Sequence, residues 1–295
     1  MKARDARDWI DTVLDEVFAG IAASETLTDI LVFKGARILA RHLPSTLRQS
    51  LDIDANCSQE FLANFPDRQT QARLLQEHFG AAVHRQFESA SPVQYQLTEV
   101  KVLPKPRNEH PRGWNAFEVQ LRVIDASRPT LRGVPALQID IAYPEELSAD
   151  STTLMKVASR EVRAYALHRI AGEKLRAFLS SLPDYQAKIG RVGGILRAKD
   201  LYDLAQILRF RPLTDHEFWG AAAREFRAAC TSRFVDCMGS ASFGVHEASA
   251  RAIYTNEPTI PGDVSFEQAW QSLEAIVSTF ESFNIFPIEH VMPAL

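Results

Sequence analysis

An α+β fold, a helix-flanked sheet followed by an all-helical second part, is what this 295-residue sequence predicts. Two observations carry that expectation. Between residues 93 and 143, three segments alternate polar with apolar or β-branched residues at the period of a strand. From about residue 165 onward the apolar positions recur at the period of a helix instead. Strands gathered in one stretch and helices in the next point to α+β architecture. The border falls near 155–165, which gives a first domain over 1–160 and a helical domain over 161–295.

Each element has its own signal. Residues 5–23 space Trp9, Ile10, Val13, Leu14, Val17, Phe18 and Ile21 by three and four, an amphipathic helix. Thr28 to Phe33 is short and apolar, ends at Lys34-Gly35, and reads as a strand. Residues 36–43 then read as a helix stopped by Pro44. The segment 67–88 is helical in pattern and rich in Gln and Arg. VQYQLTEVKVL (93–103), AFEVQLRVID (116–125) and VPALQIDIAY (134–143) predict three strands of a largely antiparallel sheet, separated by loops bearing Pro, Gly or Asn. Helices follow over 167–182, 199–210, 214–232, 240–253 and 265–282. Val192-Gly193-Gly194 reads as a turn.

Composition narrows the function classes. Apolar residues make up 46% and charged residues 24%, and the formal net charge is −4, so the chain is no polycation. A nucleic-acid partner is therefore not announced by overall charge. Cys57, Cys230 and Cys237 leave one thiol over in any pairing and form no C-x-x-C, which fits a reducing cytoplasm. The first twenty residues carry acids throughout and lack the apolar stretch of a signal peptide. No segment approaches the ~20 apolar residues of a membrane span. A soluble, cytoplasmic protein is expected. The eight histidines form no H-x-x-x-H or H-E-x-x-H pair, and no G-x-x-x-x-G-K-[ST] loop occurs.

The chemistry-bearing residues lie in four places. Asp52-Ile53-Asp54, if extended, projects two carboxylates from one face. Like charges so close repel unless a cation sits between them. With Asp140 of LQIDIAY they supply an oxygen-rich set of the kind Mg²⁺ takes beside substrate phosphates. The same residues also suit a turn cap and a half-exposed strand. Gly35, where a short strand meets a helix, offers backbone N–H groups to a phosphate, with Lys34 and Arg37 adding charge. A plain strand-to-helix turn would look alike. The Ser50 hydroxyl suits a phosphate or a local turn bond. Glu173-Lys174 on a helix is a phosphate-neutralising lysine or a solvated ion pair. Asp200 and Asp203 share a helix face three residues apart, and Asp200 also suits a helix N-terminus.

In this order the motifs resemble those of the AbiEii/AbiGii-type toxin nucleotidyltransferases, built on the polymerase-β-like nucleotidyltransferase fold. The family's FKGG-T-x-L and R-x-S-x-D-I-D stretches are similar to Phe33-Lys34-Gly35-Ala36-Arg37-Ile38-Leu39 and Arg48-Gln49-Ser50-Leu51-Asp52-Ile53-Asp54. Its later strand carboxylate resembles Asp140. Its x-x-E-K-L-x-A and R-x-K-D-L-Y-D-L stretches are similar to residues 171–177 and 197–204. The chain departs from the pattern at Ala36, at Arg37 and at Ala55-Asn56.

The resemblance implies a mixed sheet with flanking helices and Mg²⁺-dependent nucleotidyl transfer. Asp52, Asp54 and Asp140 would hold the metal. Lys34, Gly35, Ala36, Ser50 and Asp203 would contribute to nucleotide binding. Lys174 would stabilise triphosphate charge and Asp200 would orient it or the acceptor. It further implies a nucleoside triphosphate donor, an RNA acceptor such as tRNA, a cognate antitoxin, and a place in a type IV toxin–antitoxin or abortive-infection system. Two other readings remain: a nucleotidyltransferase acting on a protein or a small molecule such as an antibiotic, and a non-catalytic nucleotide-binding module.

Overall fold

A computed structural model describes residues 3–46, 48–128, 134–191 and 193–292. The chain divides into two compact units. One comprises Met1–Ile38, Gln49–Glu145 and Thr153–Tyr165, the other Leu39–Arg48, Glu146–Thr152 and Ala166–Leu295.

The first unit begins with α1 (Ala3–Ala22), followed by α2 (Glu25–Ile30), β1 (Leu31–Lys34) and the start of α3 (Gly35–His42). The expected strand at 28–33 is thus shorter. Ser24 caps α2 by accepting from the Leu27 N–H, so Thr28 to Ile30 are helical and pairing begins at Leu31. Next come β2 (Asp52–Cys57), α4 (Gln59–Asn64), α5 (Arg68–Glu88), β3 (Tyr95–Lys105), β4 (Ala116–Asp125), β5 (Leu137–Ala142), β6 (Thr152–Val157) and β7 (Arg160–Tyr165).

Seven strands form one sheet in the order β3-β4-β5-β2-β1-β7-β6. Of the three strands read from alternation, β4 lies between β3 and β5 and is antiparallel to both. The sheet as a whole is mixed, because β2 runs parallel to β5 and β1 parallel to β7.

Alternation gives the central strands two unlike faces. Ile53, Ala55 and Cys57 on β2, Leu137, Ile139 and Ile141 on β5, and Phe117, Val119 and Leu121 on β4 are buried. Helix α1 packs against α5 and β2, and the Phe18 and Phe33 rings meet with centroids 4.9 Å apart. The opposite face of these strands carries the polar residues Asp52, Asp54, Asn56, Glu118, Gln120, Gln138 and Asp140.

The second unit is mostly helical. It holds α6 (Leu167–Ser180), α7 (Pro183–Lys188), α8 (Lys199–Phe210), α9 (His216–Arg233), α10 (Glu247–Asn256) and α11 (Phe266–Ser282). Helix α6 packs on α8 and α9, and α8 on α11. A Cβ on Gly172 would stand 2.6 Å from the Phe226 backbone nitrogen, so glycine is what lets α6 and α9 come together. The expected helix at 240–253 starts later. Gly239–Ser242 and Gly244–His246 are 3₁₀ turns, and the α-helix begins at Glu247. Of the expected turn at 192–194, Val192 lies outside the described residues and Gly193 has φ +82°.

Candidate active site

The polar face of the sheet is assembled by strand register. Antiparallel pairing sets Lys34 of β1 opposite Asp54 of β2. Parallel pairing sets Asp54 beside Asp140 of β5, and Asp140 is opposite Glu118 of β4. Asp52, Asp54 and Asp140 each offer a carboxylate oxygen, and these oxygens lie within 4.8 Å of one another.

That crowding has an electrostatic signature. Burial pushes the Asp140 carboxyl above the ordinary carboxylate range, and the charges of Asp52 and Glu118 add to the rise. Gln138, donating from Nε2 at 3.0 and 3.2 Å, and the charge of Lys105 work the other way. Three half-buried carboxylates crowded this way make a hard-oxygen set suited to a divalent cation, and a cation between them would relieve the repulsion.

Gly35 opens α3 directly beside this set. Its φ is +79°, and a Cβ built on it would fall 2.0 Å from the Asp54 Oδ2. Glycine is required twice over, by conformation and by the carboxylate against its Cα. The first-turn N–H groups of a helix, here including Ala36, have no acceptor within that helix.

Arg37, expected to add charge for a phosphate, is turned to another task. It is buried and donates to Asp11 Oδ1 at 2.8 Å and Asp15 Oδ1 at 2.7 Å on α1, and to the Ser50 carbonyl at 2.6 Å. The side chain ties α1 to the segment that leads into β2. Ser50 is also buried, and its hydroxyl donates locally to Asp52, to the carbonyl at 3.1 Å or to Oδ1 at 3.2 Å.

Lys34 remains at this face. Its Nζ is 3.5 Å from Glu145 Oε1 and 5.7 Å from the centre of the Tyr165 ring. The Tyr165 hydroxyl donates to Glu145 Oε2 at 3.2 Å and accepts from Asn56 Nδ2 at 2.5 Å.

The second unit gathers the other expected residues. Lys174 Nζ lies 2.8 Å from Asp200 Oδ1 and 2.6 Å from Asp203 Oδ2. Arg48 donates to both oxygens of Asp203, at 2.8 and 2.9 Å, and Arg197 to Asp200 at 2.7 Å. Lys174, Asp200, Asp203 and Arg48 are all buried. Burial alone would push the Lys174 ammonium down, but Asp200 and Asp203 outweigh it and raise it. Glu173 instead pairs with Arg169 and Arg176. Asp150, His168 and Glu225 form another potential ligand group. Glu225, however, already accepts from Arg169 at 2.7 Å and from Ser148 and Ser151.

The sequence did not single out Glu145, Tyr165 or Glu118. No local pattern marks them, and only the register and the long return to β7 bring them to this face.

A mixed sheet presenting three clustered carboxylates beside a glycine-opened helix suits a nucleotidyltransferase, and a family model places the chain in that class. The family described as nucleotidyl transferase AbiEii toxin, type IV TA system, matches residues 17–278. The chain belongs to that family. No curated protein matches it significantly. Among solved structures, a nucleotidyltransferase candidate from H. pylori is 12% identical with a TM-score of 0.51, covering 93% of this chain and 94% of its own. The antibiotic-resistance factor ANT(2'')-Ia is 15% identical with a TM-score of 0.31, covering 83% and 95%. An antigenic nucleotidyltransferase-like protein from Paracoccidioides brasiliensis is 10% identical with a TM-score of 0.32, covering 83% and 99%. The first of these shows the shared fold. The family implies a nucleoside triphosphate substrate and an antitoxin partner. Among the described residues, no helix is long and apolar enough to cross a membrane.

Proposed function

We propose that this chain is the toxin of a type IV system and transfers a nucleotide from a nucleoside triphosphate to tRNA in the cytoplasm, with Mg²⁺ as cofactor. The observation that carries the reading is the convergence of Asp52, Asp54 and Asp140 on one patch of the sheet. Those three carboxylates are the residues to hold Mg²⁺. When bound, the ion supplies charge neutralisation for the triphosphate and for the negative charge that develops in transfer.

The chain's own groups divide the remaining work. Gly35 and Ala36 present first-turn N–H groups to phosphate oxygens, and Lys34 adds a cation on the same face. Ser50 shapes the loop into β2 and orients Asp52. Asp140 completes the metal set and accepts the proton of the acceptor hydroxyl. The hydroxyl oxygen bonds to the α-phosphorus, the bond to the β-phosphate oxygen breaks, and pyrophosphate leaves. In this division residues 1–160 carry metal and phosphate. Residues 161–295 hold Lys174, Asp200 and Asp203 in a buried ion-pair cluster of their own.

Incubating the protein with each labelled triphosphate, Mg²⁺ and total tRNA tests the reading. The expected result is tRNA heavier by whole nucleotides, absent with Asp54→Ala. Label appearing on protein or a small molecule while tRNA mass stays unchanged would overturn the choice of acceptor.

A further inference from the structure

The hydrogen-bonded path from Asn56 to Lys34 is continuous and lies wholly within the first unit. Register explains its origin. Asn56 is the third polar residue on the β2 face that carries Asp52 and Asp54. Phe33 of β1 pairs with Ala164 of β7, which puts Tyr165 next to Lys34. Asn56 and Tyr165 are 1% and 0% exposed, so neither the amide nor the hydroxyl has solvent to satisfy it. The Tyr165 hydroxyl accepts from the Asn56 amide and donates to Glu145 Oε2, and the other oxygen of Glu145 faces the Lys34 ammonium. Lys34 itself keeps 18% of its side chain exposed, so it is held by Glu145 without being sealed from solvent.

From this geometry we infer that Glu145 and Tyr165 are positioning residues, and that with Asn56 they set the Lys34 ammonium for the triphosphate of the incoming nucleotide. A free lysine side chain is rotamer-rich, and a fixed carboxylate removes that freedom before the anion arrives. The aromatic face of Tyr165 beneath the ammonium adds a second attraction without competing for its protons. This role rests on the reading of Lys34 as a phosphate-binding residue.

Steady-state transfer kinetics with a double-mutant cycle test it. Glu145→Gln should raise KM for the triphosphate roughly tenfold, with kcat changing less, as loss of a charge-assisted contact predicts. Tyr165→Phe, which keeps the ring and removes only the hydroxyl, should raise KM in the same direction by a smaller factor. In a Lys34→Ala background neither substitution should move KM further. A merely structural role would add its effect to that of Lys34→Ala.

An unchanged KM in both variants, with melting temperatures near wild type, overturns the positioning role, as does full additivity with Lys34→Ala. Full activity of Asp54→Ala would instead overturn the reading of the site itself. The two failures are therefore distinguishable.

Discussion

The Asp54 carboxylate lies against the Cα of Gly35, so close that a methyl group there would overlap Oδ2 at 2.0 Å. Strand β2 and the turn into α3 are thereby interlocked, and the residue proposed to hold a cation is packed against the one proposed to receive a phosphate. Gly35→Ala should cost about 1–3 kcal/mol of stability through the positive φ alone. It should also lower nucleotide transfer at least tenfold by moving the carboxylate. Chemical denaturation and turnover on tRNA measure the two losses separately.

Arg37 should behave as a structural residue. Arg37→Met removes its bonds to Asp11, Asp15 and the Ser50 carbonyl. The expected loss is about 2 kcal/mol, because the two acids that remain are partly exposed and can hydrate. Its KM for triphosphate should stay within about twofold of wild type. A large rise in KM without loss of stability would return Arg37 to the phosphate site.

Asp140→Asn should separate stability from activity. Burial and the charges of Asp52 and Glu118 raise its carboxyl, so keeping it ionised at neutral pH costs folding energy. The amide removes that cost, and the metal-free variant is expected to gain about 1 kcal/mol in urea unfolding. Transfer should be lost at the same time. Millimolar Mg²⁺ should raise the melting temperature of wild type and leave that of the variant nearly unmoved.

Asp200 supplies a pH test. Burial would raise its carboxyl, but Arg197 and Lys174 outweigh it and hold it well below the ordinary 3.8. A depressed carboxyl contributes stability that is present above about pH 4 and lost as pH falls further. Asp200→Asn should cost about 3 kcal/mol at pH 7, since Lys174 stays buried with one partner fewer. The variant should also show a shallower loss of stability below pH 4, read from unfolding midpoints across pH.

How far the sequence reaches depends on whether its signal is local. Asp52 and Asp54 share a face because strands have a period of two, and Asp140 was found because apolar neighbours flank it at the same period. The hairpin of β6 and β7 escaped that reading. Its strands are short and punctuated by Lys156, Arg160, Glu161 and Arg163, and the link is Ala158-Ser159 with Ala158 at φ +51°, where Asn-Gly or Asp-Gly would have announced a turn. Arg37 was misjudged for a different reason. Its partners Asp11 and Asp15 lie one helical turn apart on the polar side of α1, and nothing in the order of residues says which element that side will meet. Glu145 and Tyr165 are joined to Lys34 only through pairing between strands more than a hundred residues apart.

The strand order has a temporal side. β1 sits between β2 and β7, so one of its edges has no partner until residue 165 has been made. A ribosome that has synthesised only the first 150 residues has already produced all three aspartates, but holds them on a sheet with an open, apolar edge at Leu31–Lys34, the kind that pairs with other chains. A truncated product of that length is more prone to aggregate than to act.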